Sequence, residues 1–205
     1  MLLIGKKIQS ILFVFLFICS FIFSQDKLPD SFLKSLDNKK VSIKDLHNNS
    51  PMAISFWFLA CEPCKKEMKY LEQFHQKYSK DGFKVVSVNT DNSRNFNRVR
   101  PFIDSQKYTF TVLNDPNYKF FRKLGGQQCP YLVLFDETGN VVAKHSGYNP
   151  GDEIKLEQEI INIIAKASNK EIEIIQMDST KKHIEVKVDS LKLKDSPNPS
   201  DLNSE

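Results

Sequence analysis

The sequence predicts an α/β fold, because apolar runs typical of buried strands alternate with segments of helical periodicity. Residues 52–60 and 83–91 are apolar runs rich in aromatic and β-branched side chains, and a polar segment of helical spacing separates them. Further along, two apolar runs on either side of residues 137–140 predict a hairpin. This order of strands and helices indicates one domain built on a β-sheet.

The individual elements are predicted in chain order from periodicity and from helix and turn signals. They are a short strand over 41–46, a buried strand over 52–60, a helix from about 63 to 82, a buried strand over 83–91, a helix over 94–107, a short strand over 110–115, a helix over 116–125, a hairpin over 131–147 and a helix over 152–168. Pro63 falls where the first long helix can begin, and Gly82 is a natural stop for it. The last helix is amphipathic, and six of its apolar side chains are expected to face the core: Ile154, Leu156, Ile160, Ile161, Ile163 and Ile164.

Residues 1–24 have the composition of a signal peptide. Lys6 and Lys7 precede an apolar run over residues 11–23, which is short for a membrane span of about 20 residues. Ser24 is a small residue suited to cleavage before Gln25. An uncleaved N-terminal anchor and a lipidated Cys19 are the alternatives. Each of the three sends the rest of the chain out of the cytoplasm, so we expect it in the periplasm or cell envelope.

The rest of the chain divides into a predicted domain over residues 25–168 and an extension over residues 169–205. The whole chain has 29 Lys and Arg against 25 Asp and Glu, a surplus too small to indicate nucleic-acid binding. The composition of at least residues 194–205 predicts disorder. Contact with a membrane is expected only through an N-terminal anchor.

Three cysteines lie in the predicted exported part, namely Cys61, Cys64 and Cys129. The first two form a CxxC pair at a strand-to-helix junction, where the helix dipole and free N–H groups stabilise a thiolate on Cys61. Cys64, one turn into the helix, is placed to close a redox-active disulfide with Cys61. The pattern predicts that Cys61 attacks a partner disulfide and that Cys64 resolves the resulting mixed disulfide.

Other uses of the CxxC pair stay open. A structural zinc site requires two more ligands at close spacing, which the sequence lacks, and a structural disulfide over so short a loop stabilises little. A Cu(I) site formed by Cys61, Cys64 and Cys129 suits soft thiolate ligands. A copper chaperone is therefore the main alternative function, and a disulfide oxidase or isomerase is a third. For the redox function we expect no metal and no other cofactor.

The segment SFWFLACEPCKKEM, residues 55–68, resembles the active-site stretch of the thioredoxin-like superfamily. Within that superfamily it resembles the TlpA/ResA-like exported thiol–disulfide oxidoreductases, over about residues 28–165 in all. The resemblance implies a thioredoxin-like fold with a central mixed β-sheet flanked by helices, and a cis peptide bond before Pro130 that faces the CxxC pair. In the family, this cis-Pro bond leaves the neighbouring backbone free to form hydrogen bonds with a bound segment that contains a cysteine. We expect substrate contacts from Pro130, Cys129, Glu62 and Pro63.

The same resemblance implies the partners. The usual substrates in the family are disulfides in other exported proteins, including apocytochromes c before haem attachment. Electrons come from a membrane thiol-donor protein. The activation pattern of peroxidases in related folds, a Thr-x-x-Cys with an Arg, is missing from this sequence.

Acidic residues near the cysteines predict the direction of electron flow. Glu62 lies between the cysteines, and Glu67 lies one helical turn beyond Cys64. Both negative charges raise the thiol pKa, although Lys65 and Lys66 oppose them. A weakly acidic nucleophile makes the protein a reductant.

Glu67 is the residue beyond the sulfurs that we predict to be catalytic. Many thioredoxins carry a buried Asp in the strand before the CxxC, and here Ser55 occupies that position. A proton carrier for Cys64 must then come from elsewhere, and Glu67 is the nearest acid. The alternative is an ordinary solvated helix residue.

Two positions depart from the family pattern. Ala60 replaces the Trp that commonly precedes the first cysteine, while Trp57 matches an earlier aromatic and is expected in the core. Cys129 stands where Thr or Val is more usual before the cis-Pro, and it has three alternatives: a disulfide with the CxxC pair, a third metal ligand, or a small buried side chain. The histidines lack ligand spacing to the cysteines and are expected to be structural or on the surface: His47, His75, His145 and His183.

Overall fold

The structure is a computed structural model that describes residues 26–169. The predictions for the signal segment over residues 1–24 and for the extension beyond residue 169 lie outside the described residues and stay predictions. In the described range, no helix is both long and apolar enough to cross a membrane. The strands are β1 (Phe32–Ser35), β2 (Lys40–Ser42), β3 (Met52–Trp57), β4 (Lys84–Asn89), β5 (Thr111–Asn114), β6 (Tyr131–Phe135) and β7 (Val141–Ser146). The helices are α1 (Ile43–His47), α2 (Glu62–Tyr78), α3 (Val99–Gln106), α4 (Lys119–Lys123) and α5 (152–169).

Within residues 26–169 the strands form one sheet in the order β2-β1-β5-β4-β3-β6-β7. β3 pairs in parallel with β4, and β4 with β5, whereas the remaining pairs are antiparallel. The parallel pairs arise because a helical crossover must return the chain to the same end of the sheet. The predicted α/β fold is confirmed, with a central mixed sheet flanked by helices.

Helices cover both faces of the sheet, so the central strands are buried on both sides. Side chains of α2, α3 and α5 pack with Trp57 on one face, and side chains of α1 and α4 pack with Phe56 on the other. Every residue of β3 is buried as a result. This explains why β3 reads as a continuous apolar run instead of an alternating one. Trp57 lies in the core, as the sequence predicted.

Two elements near the N-terminus of the domain differ from the prediction. The strand predicted over 41–46 ends at Ser42, because the Ser42 hydroxyl accepts a hydrogen bond from the Asp45 N–H (3.2 Å) and begins α1 there. Strand β1 was not predicted. Of its four residues only Leu33 is buried, so its sequence has too little apolar character to identify it.

The buried face of α5 is narrower than the sequence predicted. Leu156, Ile160 and Ile163 are buried, but Ile154 is 73% exposed and Ile161 is also exposed. The reason is helical geometry: positions four and seven apart align with Leu156, whereas Ile154 and Ile161 lie together on another face. Their expected placement in the core was wrong.

Candidate active site

The CxxC pair lies where β3 ends and α2 begins. Cys61 is the N-cap of α2 in an extended conformation, and Pro63 occupies the first turn, where its missing N–H costs no hydrogen bond. Cys61 and Cys64 form a disulfide with their Cα atoms 5.3 Å apart. The Cys64 N–H donates to Cys61 Sγ over 3.2 Å. Cys61 is therefore the sulfur that receives both the helix dipole and a backbone donor.

The two sulfurs differ little in exposure, and both are largely shielded from solvent. Cys64 is 0% exposed and Cys61 is 4% exposed. The exposed residues around them are Ala60, Glu62 and Pro63, which form the surface that a partner would meet first. Cys61 keeps the little exposed surface that the pair has, which favours it as the attacking sulfur, and that role stays a prediction.

Glu67 lies in the interior beside this pair. It is 3% exposed, and its Oε2 accepts a hydrogen bond from the Ser55 hydroxyl over 2.8 Å. Burial raises the pKa of Glu67 to about 7, the Ser55 hydrogen bond opposes that shift, and the charge of Asp152 adds to it. The alternative of an ordinary solvated helix residue is therefore wrong. Its role as proton carrier stays a prediction.

The contribution expected from Glu62 is smaller than the sequence indicated. Glu62 is exposed, and its Oε1 lies 2.6 Å from the Lys65 ammonium. Lys65 also lowers the pKa of Glu62, first by the hydrogen bond and then by charge. A paired, solvated carboxylate affects a nearby sulfur weakly, since its field is cancelled by the partner and screened by water. Of the two acids predicted to act on the cysteines, Glu67 is buried and Glu62 is exposed, and the effect of either on the thiols stays a prediction.

Pro130 and Cys129 lie at the start of β6. The Cys129–Pro130 peptide bond is cis, as the family resemblance implied. The Pro130 carbonyl accepts from the Gly147 N–H over 2.8 Å, which ties this segment to the end of β7. Within residues 26–169, the backbone N–H and C=O of Cys129 have no hydrogen-bond partner. Such groups are available to a bound extended segment.

Cys129 is a free, half-buried thiol. Burial raises the pKa of Cys129 to about 11, the negative charge of Glu67 adds to the shift, and a hydrogen bond with Thr90 opposes it. A thiol that is protonated at neutral pH is a poor nucleophile and a poor metal ligand. This favours the third alternative for Cys129, in which it is a small buried side chain without a role in the chemistry.

Further residues that support the site were not identified from the sequence. Asp91 is buried, and its Oδ2 accepts from the Leu59 N–H over 2.7 Å and from the Asn89 amide over 2.9 Å. The Thr90 N–H donates to the Trp57 carbonyl over 2.8 Å. These bonds hold the loop that precedes Cys61. Their position at the carboxyl end of β4, next to parallel β3, is the signal that could have revealed them.

No metal centre is formed by the described residues: in 26–169, no three His, Cys, Asp or Glu side chains lie together as ligands would. His47 is buried with Nε2 2.7 Å from the Asp136 carbonyl, and His145 pairs with Glu159 at 2.7 Å. Neither contacts the cysteines. The Cu(I) alternative stays a prediction that a copper titration of the reduced protein can test.

Known proteins are similar to this chain in sequence and in fold. A family model described as Redoxin matches residues 23–160. The thiol-disulfide oxidoreductase ResA of Bacillus thuringiensis is 27% identical over 127 residues, which cover 62% of this chain and 72% of ResA. The sporulation thiol-disulfide oxidoreductase A of Bacillus subtilis is 28% identical over 133 residues, which cover 64% of this chain and 79% of that protein.

The structural comparison agrees. The crystal structure of a putative thiol:disulfide interchange protein DsbE from Chlorobium tepidum matches with a TM-score of 0.63 and 31% identity, over 68% of this chain and 96% of that chain. A thioredoxin-like protein from Porphyromonas gingivalis matches with a TM-score of 0.59 and 29% identity, over 68% and 92% of the two chains. The chain therefore belongs to the Redoxin family, and its CxxC disulfide makes it a thiol–disulfide oxidoreductase of the thioredoxin-like fold.

Proposed function

We propose that this oxidoreductase is a reductant that reduces disulfides in other proteins of the cell envelope. The observation that carries the proposal is the burial of Glu67 beside the CxxC pair. Ser55 is its only hydrogen-bond partner among the described residues, and no cation pairs with it there. Ionised Glu67 opposes a second negative charge on sulfur, which destabilises the thiolate form. A reduced form that is less stabilised corresponds to a more negative reduction potential.

The reaction requires two electrons and two protons in balance. The Cys61 thiolate attacks a disulfide of the partner, one partner sulfur leaves and takes a proton, and Cys61 becomes joined to the other. The Cys64 thiol then loses its proton to Glu67, and the Cys64 thiolate attacks Cys61 Sγ. The second partner sulfur leaves Cys61 and takes that proton back from Glu67, so it departs as a thiol. The products are a partner dithiol and the Cys61–Cys64 disulfide seen in the structure.

Glu67 is suited to the proton step in this scheme. A group with a pKa of about 7 can accept and return a proton at neutral pH, whereas a carboxylate with an ordinary pKa of about 4 would hold it too weakly. Cys64 has no exposed surface, so a buried carrier on the same helix face is needed for its proton. Glu67 is the acid three residues further along α2 that meets this need.

The substrate site in this proposal is the surface formed by the CxxC rim and the segment before β6. An extended partner segment can pair with the unpaired backbone of Cys129 while its cysteine meets Cys61. Glu62 and Pro63 are exposed beside that position and can contact the partner. In this proposal, the residues predicted from the sequence to contact the substrate lie on one surface.

The compartment and the partners belong to the same proposal. The apolar run over residues 11–23 after Lys6 and Lys7 supports export to the periplasm or cell envelope. The resemblance to ResA-type proteins supports exported proteins as substrates, including apocytochromes c, and a membrane thiol donor as the source of electrons. An exported CxxC protein needs such a donor, because its compartment would otherwise keep the pair oxidised.

A redox titration against dithiothreitol tests the direction. We expect a reduction potential more negative than about −200 mV, on the reducing side of disulfide isomerases. A potential near about −120 mV, typical of a strong oxidant, would overturn the proposal.

Trapping tests the substrate class. Cys64→Ser leaves Cys61 free to attack but removes the resolving thiol, so exported partners are expected to stay linked to Cys61 as mixed disulfides. Cys61→Ser is the matched control and is expected to trap none. Equal capture by the two variants would contradict the assignment of Cys61 as the attacking sulfur.

A further inference from the structure

Glu67 lines a cleft of about 240 Å³, to which the exposed Glu62 and Pro63 of the CxxC rim do not contribute. One wall is the end of β7 with the turn that follows it, including His145 and Tyr148, and the other wall is the first part of α5, including Asp152. Glu67 is almost fully buried, and it is one of the residues that line this cleft.

The basic side chains around the cleft each lie near a carboxylate. Lys144 lies 2.7 Å from Asp26, and His145 lies 2.7 Å from Glu159. Lys155, one turn after Asp152 on α5, lies 3.8 Å from the same Glu159. These groups therefore offer Glu67 little net positive charge across the cleft.

Asp152 lines the same cleft, but none of these basic side chains forms an ion pair with it. Its Oδ2 accepts a hydrogen bond from the Asn149 N–H over 2.8 Å, which fixes the carboxylate at the start of α5. Within residues 26–169, no Lys, Arg or His forms an ion pair with Asp152. Asp152 is thus an exposed carboxylate with no ion-pair partner among the described residues, and it lines the same cleft as Glu67.

Among residues 26–169, the other elements packed around Glu67 supply no opposing charge. Ser55 on β3 contributes a neutral hydroxyl, and Cys64 on α2 is in the disulfide. Cys129, before β6, carries a thiol that is neutral at pH 7, and the Tyr148 hydroxyl donates to Glu153 over 2.6 Å. Asp152 is therefore the uncompensated charge that acts on Glu67 from a neighbouring element.

We propose that Asp152 is a positioning residue that acts across this cleft and sets the protonation state of Glu67, and thereby the pH range in which the CxxC pair works. Burial is the largest cause of the raised pKa of Glu67, and the charge of Asp152 adds to it. The two effects together keep Glu67 near half protonation at neutral pH, where it can both accept and return a proton. This inference rests on the proposed role of Glu67 as the proton carrier.

The test is a carboxyl-carbon NMR titration of Glu67 in the full oxidised chain. Asp152→Asn removes the charge and keeps an acceptor for the Asn149 N–H, and it is expected to lower the midpoint of Glu67 by about half a pH unit. Asp152→Glu keeps the charge and is expected to restore the original midpoint. Asp81→Asn makes the same charge change on an exposed residue in the 3-10 turn that follows the C-terminal end of α2, and it is expected to leave the midpoint unchanged.

A second arm needs no substitution. Salt at about 1 M reduces the Debye length to about 3 Å, so it is expected to lower the Glu67 midpoint of the unmodified protein in the same direction. The pH profile of disulfide reduction is expected to move with the midpoint in Asp152→Asn. A midpoint that shifts equally in Asp152→Asn and Asp81→Asn would overturn the inference. If Asp152→Asn does not fold, a midpoint that is insensitive to salt would overturn it instead.

The result is separable from the proposed function. A protein that proves to be an oxidant would show an unexpected reduction potential, yet the Glu67 midpoint would still respond to Asp152. A failure of the present inference would leave the reduction potential and the trapping of partners unaffected while the Glu67 midpoint stays fixed.

Discussion

Replacing Glu67 by Gln is expected to change the pH dependence of folding stability in a defined way. Glu67 is 3% exposed, and its pKa is raised from 4.5 to about 7, chiefly by burial. Between these two values the unfolded chain ionises this group while the folded protein keeps it neutral. The unfolded state then binds fewer protons, so the free energy of unfolding falls as pH rises. At about 1.4 kcal/mol per pH unit, the full loss is about 3 kcal/mol above pH 7.

The amide side chain of the Glu67→Gln variant stays neutral at every pH and can still accept the Ser55 hydrogen bond. The variant therefore does not lose free energy of unfolding through ionisation at this position as pH rises. We expect wild type and Glu67→Gln to have similar free energies of unfolding at pH 4.5, because Glu67 is then largely neutral in the folded wild type and only half ionised in the unfolded chain. At pH 8 the variant is expected to be more stable by about 3 kcal/mol, an order-of-magnitude value.

Urea unfolding of the oxidised full chain at pH values from 4.5 to 8 measures this difference. The oxidised form is used because the disulfide removes the titrations of the Cys61 and Cys64 thiols from the comparison. Glu62→Gln is the matched control on the same helix, and its exposed carboxylate is expected to give only a small difference. A difference between wild type and Glu67→Gln that stays constant over this pH range would refute the reasoning.

Three further predictions concern the surroundings of the site. Cys129 in the oxidised protein is expected to react with iodoacetamide at least tenfold more slowly at pH 8 than an unfolded thiol, since its pKa is about 11; equal rates would contradict that. Asp91→Ala leaves the Leu59 N–H without its acceptor and is expected to cost about 1–3 kcal/mol in urea unfolding. Ile160→Ala is expected to cost about 2–4 kcal/mol in the same assay, but exposed Ile154→Ala less than about 0.5; similar costs would refute the packing of α5.

The sequence predicted the central elements of the fold well, because their signals are local. Residues 52–60 and 83–91 are continuous apolar runs, and they became β3 and β4, the strands buried on both faces. The elements at the edges were predicted less well. β1 has only Leu33 to bury, so it is defined by pairing with β2 and β5, which no local pattern reports.

The site shows the same division. The CxxC spacing and Pro63 are local features, so the position of the cysteines at the start of a helix could be predicted. The pairing of Glu62 with Lys65 depends on rotamers, which the sequence does not show. The burial of Glu67 depends on what covers α2, and that is provided by β3 and α5.

The sequence by itself determined the reactive group: two cysteines three residues apart at a strand-to-helix junction, with an acid one turn further on. These relations lie within a few residues, and the geometry of one helical turn fixes them. Only the tertiary structure decided the environment of that group. It placed Ser55 against Glu67, Asp91 behind the loop before Cys61, and Asp152 across the cleft. Desolvation and charge act through space, so the pKa of Glu67 could be known only once residues distant in the chain had been brought together.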